Sequence, residues 1–216
     1  MGKITALEAQ KKNPKRVNIF VDGEFAVGLD LETAVKGKLE VGKELSEEEI
    51  KHLKEASDRQ KTLDKVFNFL SYRPRSQKEV RDYMVKKKVD EEEISDILNY
   101  LSGKKYLNDE EFARWWIEQR MTFRPTGWRL LKMELKQKGV GEEVVNGIMN
   151  PPAGEAGREA GIMEKTLAEK VAEKKLRAMG KLPPEKAREK LFAALARRGF
   201  EWDVIKRVVD EILKKK

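Results

Sequence analysis

Five arginines gather where the chain turns on a proline: Arg73 and Arg75 flank Pro74, and Arg120, Arg124 and Arg129 surround Pro125. A guanidinium offers a planar fork of N–H donors that fits a phosphate or a carboxylate, so the grouping suits contact with a polyanion or an acidic partner. Lys86-Lys87-Lys88, then Lys132, Lys136 and Lys138, then Arg197-Arg198 form further basic clusters. A structural reading stays open beside the functional one. The arginines could cap helices or form surface ion pairs. The later clusters fall near helix ends, where positive charge is favoured for its own sake. Trp115 and Trp116 with Phe112 could stack on bases as aromatic platforms do. Adjacent helical positions point in different directions, however, and core packing is the expectation. Trp128 and Trp202 read as core or rim, and His52 as a solvated side chain.

Other chemistry is excluded by composition. Among 216 residues there is no cysteine and one histidine, which leaves no disulfide, thiol nucleophile, Cys/His zinc site or Ser-His-Asp triad. Neither phosphate-cradling glycine motif occurs. Carboxylates come in runs such as Glu91-Glu92-Glu93 rather than as separated pairs in apolar surroundings. No catalytic residue, metal or cofactor is expected. No apolar run reaches membrane-spanning length, the segment after Met1-Gly2-Lys3 lacks the apolar core of a signal peptide, and Ala6 stands where N-myristoylation needs Ser or Thr. Against 38 acidic residues stand 46 basic ones, a net charge of +8 and a pI near 9.4. The excess rises along the chain, from −1 over residues 1–60 to +3 over 61–149 and +6 over 150–216. Such a balance suits a polyanion or an acidic surface.

The elements that position these groups differ between the first sixty residues and the rest. Val17 to Val21 and Glu24 to Leu29 alternate in polarity on either side of Asp22-Gly23, the signature of a two-residue hairpin turn. A hairpin alone is marginal, so Ile4 to Leu7 is expected to add a strand. A short helix over Asp30 to Val35 and a turn at Val41-Gly42-Lys43 follow. Ser46-Glu47-Glu48-Glu49 reads as a capping box opening a helix toward residue 60. From residue 61 onward every segment reads as helix: Thr62 to Leu70, then a helix behind a second box at Ser76 to Glu79, then one opened by Asp90 to Glu93.

That three-helix unit recurs. A shift of 51 takes Tyr72-Arg73-Pro74 to Phe123-Arg124-Pro125, Val80 to Leu131, Met84 to Leu135 and Ile94 to Val145. A shift of 60 takes Leu131 to Leu191, Leu135 to Leu195, Gly139 to Gly199 and Val145 to Ile205. The pattern predicts a mainly α chain: three tandem three-helix, helix-turn-helix-like modules over 61–107, 108–149 and 162–216, preceded by a small β-hairpin subdomain over 1–60. A Pro/Gly-rich stretch over 150–161 reads as a linker, and as a hinge between modules two and three.

With the repeats laid out, the chain resembles the RecX family of bacterial recombinase regulators. The match rests on Arg73-Pro74-Arg75-Ser76-Gln77-Lys78-Glu79-Val80, on the junction from Leu98 to Ala113, which follows L-x-x-L-x-x-x-x-x-L-x-D-x-x-F-A, and on the stretch from Arg124-Pro125 to Gly139-Val140. The N-terminal hairpin is similar to an extension that some members carry. The resemblance implies a cytoplasmic, non-enzymatic monomer that acts in DNA repair, homologous recombination and the SOS response. It would bind RecA and its filament on single-stranded DNA and damp RecA's ATPase, strand exchange and coprotease activity. Arg73, Arg75, Arg120, Arg124, Arg129, Lys132, Lys136, Arg197 and Arg198 are then the candidate contacts to RecA or nucleic acid. A sequence-tolerant DNA-binding protein of helix-turn-helix type, acting without RecA, is the alternative, although Gly127-Trp128 supplies few base-reading groups.

Overall fold

The computed structural model describes residues 1–11, 13–149, 155–180 and 182–214, with 155–160 described by backbone alone. The chain forms two compact units, Met1–Ser71 with Val89–Glu93, and Tyr72–Lys88 with Ile94–Lys216.

In the first unit β1 (Gly2–Gln10), β2 (Asn13–Val21), β3 (Glu24–Asp30) and β4 (Glu44–Leu45) form an antiparallel sheet in the order β3-β2-β1-β4. Val21 pairs with Glu24 across Asp22-Gly23, whose φ angles of 50° and 87° are those the tight turn demands. The strand expected at Ile4 to Leu7 is the middle of β1. Only two residues long, β4 has no alternation to reveal it, and the sequence shows only the turn before it. Ile4, Ile19, Val27, Leu29 and Leu45 make the core, with Ile50 and Leu53 packed against it.

Those last two residues come from α2 (Glu47–Ser71), which follows the short α1 (Leu31–Lys36). The first capping box closes in both directions: the Ser46 N–H donates to the Glu49 carboxylate at 2.7 Å, and the Glu49 N–H to the Ser46 hydroxyl at 3.1 Å. The two helices expected on either side of residue 60 are one, because no Pro or Gly interrupts residues 47–71. The boundary at 60/61 therefore falls inside a helix. Buried Ser57 donates to the Gly28 carbonyl at 2.6 Å, and Arg16 donates to the same oxygen at 2.7 Å, which fixes α2 to the edge strand.

The remainder is helical: α3 (Gln77–Lys86), α4 (Glu91–Gly103), α5 (Asp109–Phe123), α6 (Trp128–Gln137), α7 (Glu142–Met149), α8 (Glu155–Met179), α9 (Pro184–Ala196) and α10 (Trp202–Lys214). The repeat-related apolar positions are buried as the shifts require. Val80, Met84, Ile94 and Ile97 are below 2% exposed. Module two closes on Phe112, Ile117, Leu131, Leu135 and Val145, and module three on Leu167, Leu191, Leu195, Phe200, Ile205 and Val208. The middle helix of every module ends in a left-handed residue at the repeat-equivalent place: Lys88 at φ 61°, Gly139 at 82° and Gly199 at 76°.

Of the expected linker, residues 150–154 lie outside the described residues, and 155–161 already belong to α8. The expected hinge does not leave modules two and three free of each other. The Gly127 N–H donates to the Arg198 carbonyl at 2.8 Å and the Arg129 N–H to the Gly199 carbonyl at 3.2 Å. Met121 packs against both cores. Glycine is required on both sides of this joint. A methyl on Gly127 would collide with the backbone of Gly199 and Phe200, and one on Gly199 with the backbone and Cβ of Leu130. Replacing Gly127 by Ala is expected to cost about 3 kcal/mol in urea unfolding, since backbone must move to admit the methyl. Gly103→Ala, whose methyl meets nothing, should change stability by less than about 1 kcal/mol and in the opposite direction.

Candidate anion-binding cleft

Helix α3 begins at a cap that belongs partly to the next module. The Ser76 hydroxyl accepts from the Glu79 N–H at 3.2 Å and donates to the Lys138 carbonyl at 2.6 Å. The Gln77 N–H donates to the Asp109 carboxylate at 2.8 Å. Helix α6 repeats the arrangement one module on: its Gly127 N–H reaches the Arg198 carbonyl, and its Trp128 N–H reaches the Glu164 carboxylate at 3.1 Å. Orphan N–H groups of α3 and α6 thus find acceptors in the following module, a carboxylate of its first helix at both and a turn carbonyl as well at α6. Burial raises the pKa of Asp109 against the opposing Gln77 N–H. Burial also raises that of Glu164, against hydrogen bonds from the Trp128 and Glu201 backbone.

The charges at the two junctions differ. Between modules one and two, Arg73 forms a two-pronged pair with Glu79 at 2.9 and 3.0 Å, and Lys138 reaches the same carboxylate at 2.6 Å. Burial works to raise the Glu79 pKa, but the hydrogen bonds and charges of Arg73 and Lys138 outweigh it and hold the carboxyl below its ordinary range. Arg73 lies over Trp115 at 5.4 Å, while Arg120 and Lys138 lie over Trp116 at 4.6 and 5.0 Å. Glu134 joins the cluster by accepting from Arg120 at 2.7 Å and from the Trp116 indole N–H at 2.9 Å. Trp115, Trp116 and Phe112 pack with ring centroids within 6.2 Å of one another; Phe112 is core, and the two tryptophans are half-buried against it.

Between modules two and three a cleft of about 460 Å³ opens, lined by Thr122, Phe123, Arg124 and Pro125, by Lys170, Val171, Lys174, Lys175 and Ala178 of α8, and by Ala194 and Arg198. Among the described residues no carboxylate lines it. None of its five cations joins an ion pair among the described residues, and Arg198 makes only a long contact to the Pro125 carbonyl at 3.4 Å. Phe123 stands 78% exposed at its edge. Helix α8 sorts its charges to produce this. Glu169 pairs with Lys165, Glu173 pairs with Arg177, and both glutamates line a different groove together with Glu211. Such a cleft can hold phosphates or carboxylates against an apolar floor.

The nine candidates from the sequence divide accordingly. Arg124 and Arg198 meet in the cleft. The forks of Arg73 and Arg120 are occupied by Glu79 and Glu134, so both position the first junction. Arg75 is half-buried, and burial lowers its pKa, with Arg73 repelling it and Glu79 opposing. Arg129 donates to the Ala196 carbonyl at 3.3 Å and Arg197 to the Ala193 carbonyl at 3.2 Å. Lys132 is half-buried and Lys136 exposed, both outside the cleft lining. Lys170, Lys174 and Lys175 escape sequence reasoning. Their signal is that 170 and 174 stand one turn apart in a helix whose Glu169 and Glu173 pair elsewhere.

Tandem three-helix modules that cap one another, preceded in the chain by a curled antiparallel sheet and carrying a cleft rich in cations, define a modular, mostly helical protein. Among the described residues no group of side chains could hold a metal ion, and no helix is long and apolar enough to cross a membrane. Residues 2–46 match the N-terminal domain of regulatory protein RecX, and 63–101, 108–147 and 164–209 match its first, second and third three-helix domains. Regulatory protein RecX of Bacillus licheniformis is 37% identical over 211 residues, covering 98% of this chain and 78% of that protein. That of Bacillus subtilis is 32% identical over 209 residues, covering 97% and 76%. A crystal structure of regulatory protein RecX aligns with a TM-score of 0.77 at 25% identity, over 97% of this chain and 100% of the other. RecX from Lactobacillus salivarius shares the fold, with a TM-score of 0.61 at 24% identity, over 74% of this chain and 99% of the other. The chain belongs to the RecX family of regulatory proteins.

The junction carboxylates carry opposite pH signatures. Asp109 and Glu164 have folded pKa values above their unfolded ones, so their contribution is full in acid and is lost as pH rises through the folded value. Glu79 has a depressed one, and its contribution is present at neutral pH and lost as pH falls through the folded value. Asp109→Asn and Glu164→Gln, which keep an acceptor for the helix N–H, should match or exceed the parent at pH 7. Asp109→Ala and Glu164→Ala should each cost about 1–2 kcal/mol. Glu79→Gln should cost about 2 kcal/mol at pH 7, a loss that shrinks in acid as pH falls from the ordinary carboxylate range through the folded value. Urea midpoints at pH 7 and pH 4 check all three.

Proposed function

We propose that this chain is a cytoplasmic regulator that binds RecA and its nucleoprotein filament, and that it inhibits the recombinase, ATPase and coprotease activities, with single-stranded DNA as a secondary contact. Membership of a family of regulatory proteins supports the class of function. The observation that carries the site is the cleft between modules two and three, where five cations face solvent without a carboxylate. Several weak modular contacts made at once raise overall affinity through effective concentration. The interlocked junctions hold modules two and three in fixed register for such simultaneous contact.

The same junctions weigh against reading DNA as a helix-turn-helix protein does. A recognition helix offers its N-terminal residues to base edges. Here the N-terminal N–H groups of α3 and α6 are bonded to the following module, which covers those ends.

RecA's single-strand-dependent ATPase, titrated with this protein at two salt concentrations, tests the proposal. Inhibition at protein well below the RecA concentration is the expected outcome. Reversing charge at Arg124 and Arg129 together should weaken that inhibition at least tenfold at physiological salt. Unchanged inhibition by the double variant would exclude this face. No inhibition by the parent, together with salt-sensitive DNA binding, would favour a DNA-binding protein acting without RecA.

A further inference from the structure

The two junctions are copies of one design, and they differ in the acid that stands between the cations of the first. The shift of 51 that relates modules one and two carries Arg73 to Arg124 and Glu79 to Leu130, and the shift of 60 carries Lys138 to Arg198. In the first junction Glu79 neutralises Arg73 and Lys138 from inside the chain. In the second, the two equivalent cations are kept, but a leucine replaces the acid that would join them. Arg124 and Arg198 both turn up in the cleft, where α8 adds Lys170, Lys174 and Lys175. The first junction shows what this geometry holds: an anionic oxygen between an arginine fork and a second cation.

We propose that the cleft is a binding site for single-stranded nucleic acid, in which a backbone phosphate takes the place that Glu79 fills in the first junction. Phosphate suits the spread of charge better than a single carboxylate does, since five cations lie along the cleft and two of them are one helical turn apart. Phe123 supplies the second element. It is exposed at the rim beside Arg124, where a base can stack while its phosphate meets the arginine. Val171, Ala178 and Ala194 give the floor an apolar surface. Tyr72, the repeat equivalent of Phe123, is 76% exposed, yet the Arg73 beside it is paired to Glu79. Among the described residues, the second junction has an exposed ring beside cations with no ion pair, and the first has not.

This site deepens the proposed function and rests on it for biological context, but it is tested without RecA, so the two fail separately. The measurement is fluorescence anisotropy of labelled oligo(dT) with the full chain over a range of salt. Leu130→Glu restores the missing acid and should close the site from within. Its affinity should fall at least tenfold, while its thermal midpoint stays equal to or above the parent's. Should that variant not fold, Lys170→Glu with Lys174→Glu, both on exposed positions, should produce a similar loss. The pair should also flatten the salt dependence, since each lost phosphate contact removes about 0.7 from the logarithmic slope. Phe123→Ala should bind about tenfold more weakly with an unchanged salt slope. Parent-like binding of oligo(dT) by the folded Leu130→Glu protein or by the lysine pair would overturn the proposal. So would tighter binding of poly-glutamate than of oligo(dT) by the parent, which would mark the cleft as a seat for an acidic protein segment.

Discussion

A middle helix in this fold cannot satisfy its own beginning. Its first N–H groups have no partner within the helix, and at α3 and α6 the acceptors come from the next module: a carboxylate from α5 or α8, and at α6 the carbonyls of the turn after α9 as well. Removing the neighbour would strip acceptors from groups that lie at a packed joint, at about 1–3 kcal/mol for each group left buried and unmade. The modules are therefore not beads on a string. Modules two and three complete their predecessors, and this capping fixes the register between modules two and three.

The same constraint accounts for features that otherwise look unrelated. Left-handed residues at 88, 139 and 199 end the middle helices, and at 139 and 199 the turn lies against the preceding module's middle helix. Asp109 is half-buried and Glu164 buried, where ionisation is disfavoured, and each accepts from an N–H at a helix N-terminus. Glu79 solves a further problem. Arg73 and Lys138 approach one another wherever a turn docks on a middle helix, and the acid between them converts a repulsion into an ion-paired network braced on Trp115 and Trp116.

Much of this was legible in the sequence. The 51- and 60-residue shifts located the three modules and their buried positions, because core packing repeats wherever the backbone does. Asp22-Gly23 and the box at Ser46 also read correctly, since turns and caps depend on a few adjacent residues. What escaped depended on distant pairing. Nothing near residue 60 separates one helix from two except the absence of a breaker. Proline and glycine over 150–157 suggested freedom between modules, while the bonds that hold them come from Gly127, Arg198 and Glu164, which share no local motif. Among the arginines, residue type alone could not separate Arg73 from Arg124. The acid six residues after Arg73, and the leucine six residues after Arg124, were the signal, and they acquire meaning only once the modules are superposed.

That substitution has an energetic logic. Two cations brought together by a rigid joint repel, and with no internal acid the repulsion must be relieved by solvent, by salt or by a ligand. At the first junction the cluster is partly buried, with Glu79 14% and Arg73 26% exposed, and leaving it unpaired would be costly. At the second, the cleft is open, so water and ions screen Arg124, Arg198 and the α8 lysines at modest cost to the fold. The bonds across the joint fix the backbones that carry these cations, so an anion held between them would cost little inter-module freedom. The interlock that completes the helix ends is therefore also what keeps the cleft's cations on one surface.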